Sequence, residues 1–298
     1  MALFTGSGTA LVTPFTESGV DYDALEKLLD YQLENSTSAL FVIGTTGEPA
    51  TMTAAERDET VKFVVSHVKK RVPVIVGCGS NSTAVAVENS RHAEALGADG
   101  LLVVTPYYNK CTQNGLVQHY RAVCESVGIP VIAYNVPTRT KVNIEPQTAA
   151  RLCELKNMSG LKEASGDIDQ IQAVAAAIEG GMDLYIGDDS LTTVAMCLGA
   201  KGVISVAANV IPGVMAKLTK LCLKGDYAAA RELQFKLMPL MSALFGEVNP
   251  IPAKKALSLI GIDCGKPRLP LTEMEPEHAE VLERALKDLG LDKKGAMI

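Results

Sequence analysis

No run of basic residues interleaved with aromatics occurs in the 298-residue chain, and its formal net charge is −6. Both features argue against a nucleic-acid surface, which is built on clustered lysine and arginine. An acidic chain also gains nothing at an anionic membrane, and no apolar stretch approaches the roughly 20 residues of a membrane span. A strand-like segment that starts by about Gly8 leaves no room for a signal peptide. The seven cysteines (Cys78, Cys111, Cys124, Cys153, Cys197, Cys222 and Cys264) include no C-x-x-C pair and make an odd total. That is the pattern of reduced, mostly buried thiols in a cytoplasmic protein. His67, His92, His119 and His278 fall far apart in helix-like segments, so nothing has metal-ligand spacing. A G-x-G-x-x-G dinucleotide signature is missing too: Gly6-Ser7-Gly8 precedes a strand rather than following one, and Gly77-Cys78-Gly79 is followed by Ser82 where the third glycine belongs.

What is present is a set of eight apolar, β-branched-rich runs: Gly8–Phe15, Ala39–Gly44, Val72–Gly77, Gly100–Thr105, Pro130–Asn135, Met158–Glu163, Asp183–Gly187 and Gly202–Val206. Most are continuous rather than alternating, as strands buried on both faces require. Helix-period segments lie between them. Asp23-Ala24-Leu25-Glu26 and Thr53-Ala54-Ala55-Glu56 read as capping signals, Asp167 opens a helix with Ile171, Val174 and Ile178 on one face, and Gly97 reads as a helix stop. Strand–helix alternation eight times over about 220 residues predicts an α/β fold, a closed (β/α)8 TIM barrel, rather than an open doubly wound sheet. From residue 225 to 298 the pattern is helical, with a stripe of Leu233, Leu237, Leu240, Met241 and Leu244, a kink expected at Pro239, and Pro276 at a helix start. The division is a catalytic barrel over 1–224 and a C-terminal helical domain over 225–298.

In such a barrel, reactive groups gather on the loops that follow the strands. Lys162 is the lone lysine within the eight runs. Unperturbed, a lysine amine is less than about 0.1% neutral at pH 7, and lowering its pKa by ~3 units takes roughly 4 kcal/mol of differential stabilisation. A dry barrel mouth with Arg139 nearby supplies desolvation and like-charge repulsion, which makes Lys162 a candidate nucleophile. The alternative is a lysine that snorkels to solvent or pairs with Glu163. Gly44-Thr45-Thr46-Gly47-Glu48 is either a tight turn or an anion cradle of backbone N–H groups and hydroxyls, with Glu48 as an orienting group behind it. Arg139, after a proline-fixed turn, suits bidentate capture of a carboxylate or a surface ion pair. Tyr134 is placed to relay protons, or is a buried tyrosine with one satisfied hydrogen bond. Tyr107-Tyr108 is an aromatic pair in a loop, suited to an interface or a ligand contact.

Taken together, GTTGE at 44–48, TPYYNK at 105–110, YNVPTRT at 134–140, LKEASGD at 161–167 and NPIPAK at 249–254 resemble the dihydrodipicolinate synthase (4-hydroxy-tetrahydrodipicolinate synthase) family, within the class I aldolase group that includes N-acetylneuraminate lyase. The motifs fall in family order across essentially the whole chain. The resemblance implies a cytoplasmic lyase of the diaminopimelate route to lysine, which needs no cofactor and joins pyruvate to aspartate semialdehyde. It implies that Lys162 forms a Schiff base with pyruvate. It assigns Thr45, Tyr134 and Tyr108 to a proton relay, with Tyr108 reaching a neighbouring subunit's site. Thr45 and Thr46 would hold the pyruvate carboxylate and Arg139 that of the semialdehyde, while Gly187 and Ile204 would line the pocket through backbone groups. A homotetramer built as a dimer of dimers is implied as well. Arg139 separates the chain from the sialic acid lyase branch, which lacks arginine after its equivalent turn; Thr138 departs from the frequent glycine. The rival readings are a same-fold lyase for a longer sugar acid and a catalytically silent pyruvate-binding homologue.

Lysine-sensitive members of the family carry histidines in the helix after GTTGE and a glutamate in the segment after the third strand. Here the matching positions read Pro49, Ala54, Arg57 and Val85, although Ala50, Asn81 and Tyr107 are kept. Val85 removes the carboxylate that would pair with the ammonium of lysine, and losing a buried charge partner costs about 3–5 kcal/mol. Weak or absent inhibition by lysine is expected in a coupled assay; sub-millimolar inhibition contradicts it.

Overall fold

A computed structural model describes residues 2–291 of the chain. Eight parallel strands close on themselves in sequence order: β1 (Gly6–Ala10), β2 (Ala39–Val42), β3 (Val74–Gly77), β4 (Gly100–Val104), β5 (Val131–Asn135), β6 (Met158–Glu163), β7 (Asp183–Ile186) and β8 (Gly202–Ser205). Helices Tyr22–Glu34, Ala54–Val68, Thr83–Ala95, Gln113–Ser126, Pro146–Leu152, Ile168–Ile178, Thr192–Cys197 and Pro212–Leu223 return the chain to the next strand or close the ring. The expected (β/α)8 barrel is the fold observed. β2 to β8 agree with the apolar runs to within two residues at either end.

β1 differs from the expected Gly8–Phe15. It starts two residues earlier, where Gly6 and Ser7 pair with Gly202 and Val203. It ends at Ala10 because the Val12 N–H is taken by the Asn209 side chain at 3.1 Å instead of by a strand. Glycine at position 8 is a matter of space: a Cβ there would lie 2.7 Å from the Phe41 ring and 3.1 Å from Phe4. The first cap differs as well. Asp21, not Asp23, accepts the Ala24 N–H (2.9 Å) and starts the helix. Thr53 with Glu56 forms the full capping box, Asp167 caps its helix, and Gly97 (φ +93°) follows a helix end.

Alternate strand residues face opposite sides. The outward ones pack on the helices, and the inward ones, including Phe41, Ile75, Leu102, Ile132, Tyr185 and Ile204, fill the barrel with Phe4. Phe4 stacks on Tyr185 with centroids 4.4 Å apart, and the Tyr185 hydroxyl donates to the Phe4 carbonyl at 2.9 Å. The floor is therefore plugged by side chains, and the interior opens only where the strands end.

Helices Tyr227–Ala243, Ile251–Leu259 and Pro276–Asp288 follow the barrel, the first running on through Pro239. They are tied to the strand ends by polar contacts. Gln234 donates to the Asp189 carbonyl at 3.1 Å. Lys254 meets Glu48 at 2.7 Å in an ion pair whose side chains are 2% and 1% exposed, with the Lys254 amine 4.3 Å from the centre of the Phe15 ring. Glu48 also accepts the Arg268 N–H at 3.0 Å. Removing one member of a buried pair strands the other charge and costs about 3–5 kcal/mol. Lys254→Met is expected to lower the unfolding free energy by that order in urea titrations; a loss below about 1 kcal/mol, the range of exposed pairs, contradicts this role.

Candidate active site

Lys162 stands fifth in β6, beside Tyr134 of β5 and Tyr185 of β7. Its side chain points inward and is 5% exposed. Glu163, one residue on, necessarily points outward, where it accepts hydrogen bonds from Asn135 (2.9 Å) and the Ser165 N–H (2.7 Å). The pleat therefore rules out the Lys162–Glu163 pair. The Lys162 amine lies 4.4 Å from the centre of the Tyr134 ring. Burial is the largest influence on it, Asp189 partly offsets that, and the Arg139 charge adds to it; together they bring its pKa down to about 8. Gly187 gives the side chain room, since a Cβ there would fall 2.6 Å from Lys162 Cε.

A cavity of about 550 Å³ opens above the amine, lined by Thr45, Thr46, Tyr134, Arg139, Lys162 and Gly187 among others. The two threonines sit on a single helical turn, Thr45–Gly47, that follows β2. Thr46 is held by Asn249, whose amide donates to its hydroxyl at 2.8 Å. Burial raises the Tyr134 phenol, while Arg139 and the Thr45 hydroxyl act the other way. Arg139 lies on the turn Pro137–Thr140 after β5, is exposed, and donates to the Asn249 carbonyl at 3.4 Å.

Six of the expected site residues thus meet in one cavity, and two do not. Ile204 is fully buried in the barrel interior, below the cavity, and Val206 lines the wall instead. Tyr108 is 90% exposed at φ +69° and does not line the cavity. Glu48 points away from the cavity, toward Lys254. Sequence reasoning assigned no role to Asn249, although it opens the Asn-Pro-Ile-Pro stretch. It also overlooked Asp189, fully buried after β7, whose Oδ2 accepts the Val206 and Ala207 N–H groups at 3.0 and 2.9 Å. Two acids in succession at a strand end were the available signal. Met241, Ser242 and Phe245, which close the cavity from the C-terminal helices, left no mark in the sequence beyond a helical stripe. Among the described residues no cluster of His, Cys, Asp and Glu has the makings of a metal site.

A buried amine of lowered pKa, beside a phenol and two hydroxyls at the mouth of a (β/α)8 barrel, defines the imine-forming aldolase class. Comparison with known proteins narrows this. The model of the dihydrodipicolinate synthetase family matches residues 3–289. The chain is 48% identical to the 4-hydroxy-tetrahydrodipicolinate synthase of Caldicellulosiruptor bescii over 99% of its own length and 100% of the relative's. The dihydrodipicolinate synthase structure from Thermotoga maritima superposes with a TM-score of 0.95 at 45% identity, covering 97% of this chain and 99% of that one. The chloride-inhibited dihydrodipicolinate synthase from Acinetobacter baumannii, solved with pyruvate, gives 0.94 at 43%, covering 96% and 99%. The chain belongs to the dihydrodipicolinate synthetase family.

Only the neutral amine of Lys162 is nucleophilic, so kcat/KM for pyruvate, which reports the free enzyme, is expected to rise with pH and level off above an apparent pKa of about 8. Because Arg139 helps to lower that value, Arg139→Leu should move the midpoint upward. A midpoint at the ordinary lysine value contradicts the burial argument.

Proposed function

We infer that the chain carries the activity of these relatives, 4-hydroxy-tetrahydrodipicolinate synthase, a lyase acting through an imine on Lys162. The observation that carries the reading is the buried Lys162 amine, set over the Tyr134 ring and facing a cavity with Thr45, Thr46 and Arg139. The neutral amine adds to the pyruvate C2 carbonyl, and loss of water leaves a protonated imine. A C3 proton then departs, and the resulting enamine carbon forms a bond to the aldehyde carbon of L-aspartate 4-semialdehyde, whose oxygen takes up a proton. The amino group of the condensed product displaces Lys162 from C2, which closes the ring and restores the free amine.

Thr45 and Thr46 hold the pyruvate carboxylate. Tyr134 moves protons to and from the carbinolamine and the new hydroxyl, with Thr45 passing them on. Tyr108, which its own cavity does not use, completes the relay in a neighbouring subunit, consistent with its exposure. Arg139 takes the carboxylate of the semialdehyde, while Gly187 and the segment around Ile204 contribute backbone groups to the wall. The reaction proceeds through covalent pyruvate with no further cofactor. The chain works in the cytoplasm as a homotetramer, a dimer of dimers, with the barrel over 1–224 and the helical domain over 225–298, of which residues 1 and 292–298 lie outside the described residues. Among the described residues no helix is long and apolar enough to cross a membrane.

The reading is tested by turnover. Pyruvate with aspartate semialdehyde should be consumed, N-acetylneuraminate and 2-keto-3-deoxygluconate should not be cleaved, and Lys162→Ala should lose at least about 10³-fold in kcat, the order of losing a covalent route. Cleavage of either sugar acid in preference to condensation defeats it.

A further inference from the structure

Asp189 is a fully buried carboxylate to which the reaction as described gives no task. It opens the turn Asp189–Leu191 after β7, two residues beyond Gly187, which lies against Lys162 Cε. It stands behind the cavity wall, since its neighbours Asp188 and Ser190 line the cavity and it does not. Its Oδ2 accepts the N–H groups of Val206, itself on the wall, and Ala207 at 3.0 and 2.9 Å. Its Oδ1 is buried and accepts no hydrogen bond among the described residues. Two amides need only an acceptor, which an uncharged asparagine would supply, so the hold on the β8 turn does not account for the charge. Burying a carboxylate is unfavourable, and for the free amine the acid is a disadvantage, because it opposes the neutral form of Lys162.

The elements packed on Asp189 bring no cation of their own. The helix Tyr227–Ala243 supplies Gln234, which donates to the Asp189 carbonyl, and Thr192 donates to the same carbonyl. The end of β8 supplies amides and the Ser205 hydroxyl, and the adjoining Asp188 is a like charge. The charges acting on the Lys162 amine are those of Asp189 and Arg139, with Glu163 turned to the other face of β6. When the neutral amine joins pyruvate, the C2 oxygen leaves as water with one amine hydrogen and one proton taken up. Nζ keeps one hydrogen and a full positive charge at a buried position. The threonine turn that answers the pyruvate carboxylate follows β2, opposite β6 in the ring. We propose that Asp189 is the counter-charge of the protonated imine: held behind the wall by the β8 amides, its carboxylate offsets the charge that Nζ acquires and keeps the imine in the protonated form that acidifies C3. Asp189 acts through Lys162 and is a positioning residue. The proposal rests on the function inferred above.

The test uses Asp189→Asn, which keeps an acceptor for both amides and removes the charge. Two quantities are read on the full chain. One is the pH midpoint of kcat/KM for pyruvate. The other is the rate at which cyanoborohydride, which reduces protonated imines, fixes pyruvate to Lys162 at subsaturating pyruvate, about one pH unit above the parent midpoint. An opposite charge moves a pKa by about 1–3 units. The midpoint is therefore expected to fall by at least about one unit, the reverse of Arg139→Leu, and trapping to slow about tenfold. If Asp189 merely shapes the turn, both rates drop with the midpoint in place, and that result overturns the proposal, as does unchanged trapping. Should the variant not fold, infrared difference spectra of the parent chain carrying isotope-labelled aspartate decide, the label separating Asp189 from the buried Glu163. An aspartate that stays ionised when pyruvate is added is expected, and a protonated one in the adduct overturns the proposal. No pyruvate adduct in the parent defeats the imine reading itself; normal parent trapping with an unaffected variant removes the counter-charge alone.

Discussion

Taking the amine of Lys162 out of water is the constraint on which the rest of the site depends. Desolvation disfavours the ammonium form, and it does so here because the barrel floor is packed with Phe4 and Tyr185 while the amine sits at the level of Tyr134. Three further features keep the environment from restoring the charge. The pleat sends Glu163 to the other face of β6. Asp189 has its Oδ2 committed to the β8 turn amides, so its carboxylate compensates the burial only in part. Arg139 stands at the mouth as a like charge. An amine near its working pKa follows from this balance, with burial the largest contribution.

The second dependence runs from the C-terminal helices to the threonine turn. Thr45 and Thr46 lie on a single turn, too short to hold itself in place by its own hydrogen bonds. Asn249 grips the Thr46 hydroxyl, and the Glu48–Lys254 pair anchors the residue that follows the turn, where Glu48 adopts φ +55°. The helical segment is thus part of the site's framework, supplying a wall of the cavity and the grip on its anion-binding turn.

The sequence made the barrel legible because buried parallel strands read as continuous apolar runs, as in Ala-Leu-Phe-Val of β2, Val-Ile-Val of β3 and Leu-Leu-Val-Val of β4. β1 was misplaced because Gly-Ser-Gly-Thr-Ala carries little apolar signal: Gly8 makes room for Phe41 and Phe4, a requirement of the neighbours that the strand's own residues do not announce. Lys162, Tyr134, Thr45, Thr46, Arg139 and Gly187 were legible as strand-end residues, and they do share a cavity. Ile204 turns its side chain into the barrel core, which leaves only its backbone for the wall role that the resemblance implies. Glu48 was legible as an orienting group behind the turn, but its partner Lys254 and the hold of Asn249 on Thr46 were not, because Asn249 and Thr46, like Glu48 and Lys254, lie about 200 residues apart in sequence. Tyr108, bare on the surface of a single chain, has a role only if another subunit supplies the rest of its site.

The most direct test of the central claim is reduction with borohydride in the presence of pyruvate, followed by mass mapping of the digested chain. The account predicts one three-carbon adduct per chain, on Lys162 and on no other lysine. An adduct on any other lysine, or no pyruvate-dependent adduct, contradicts it.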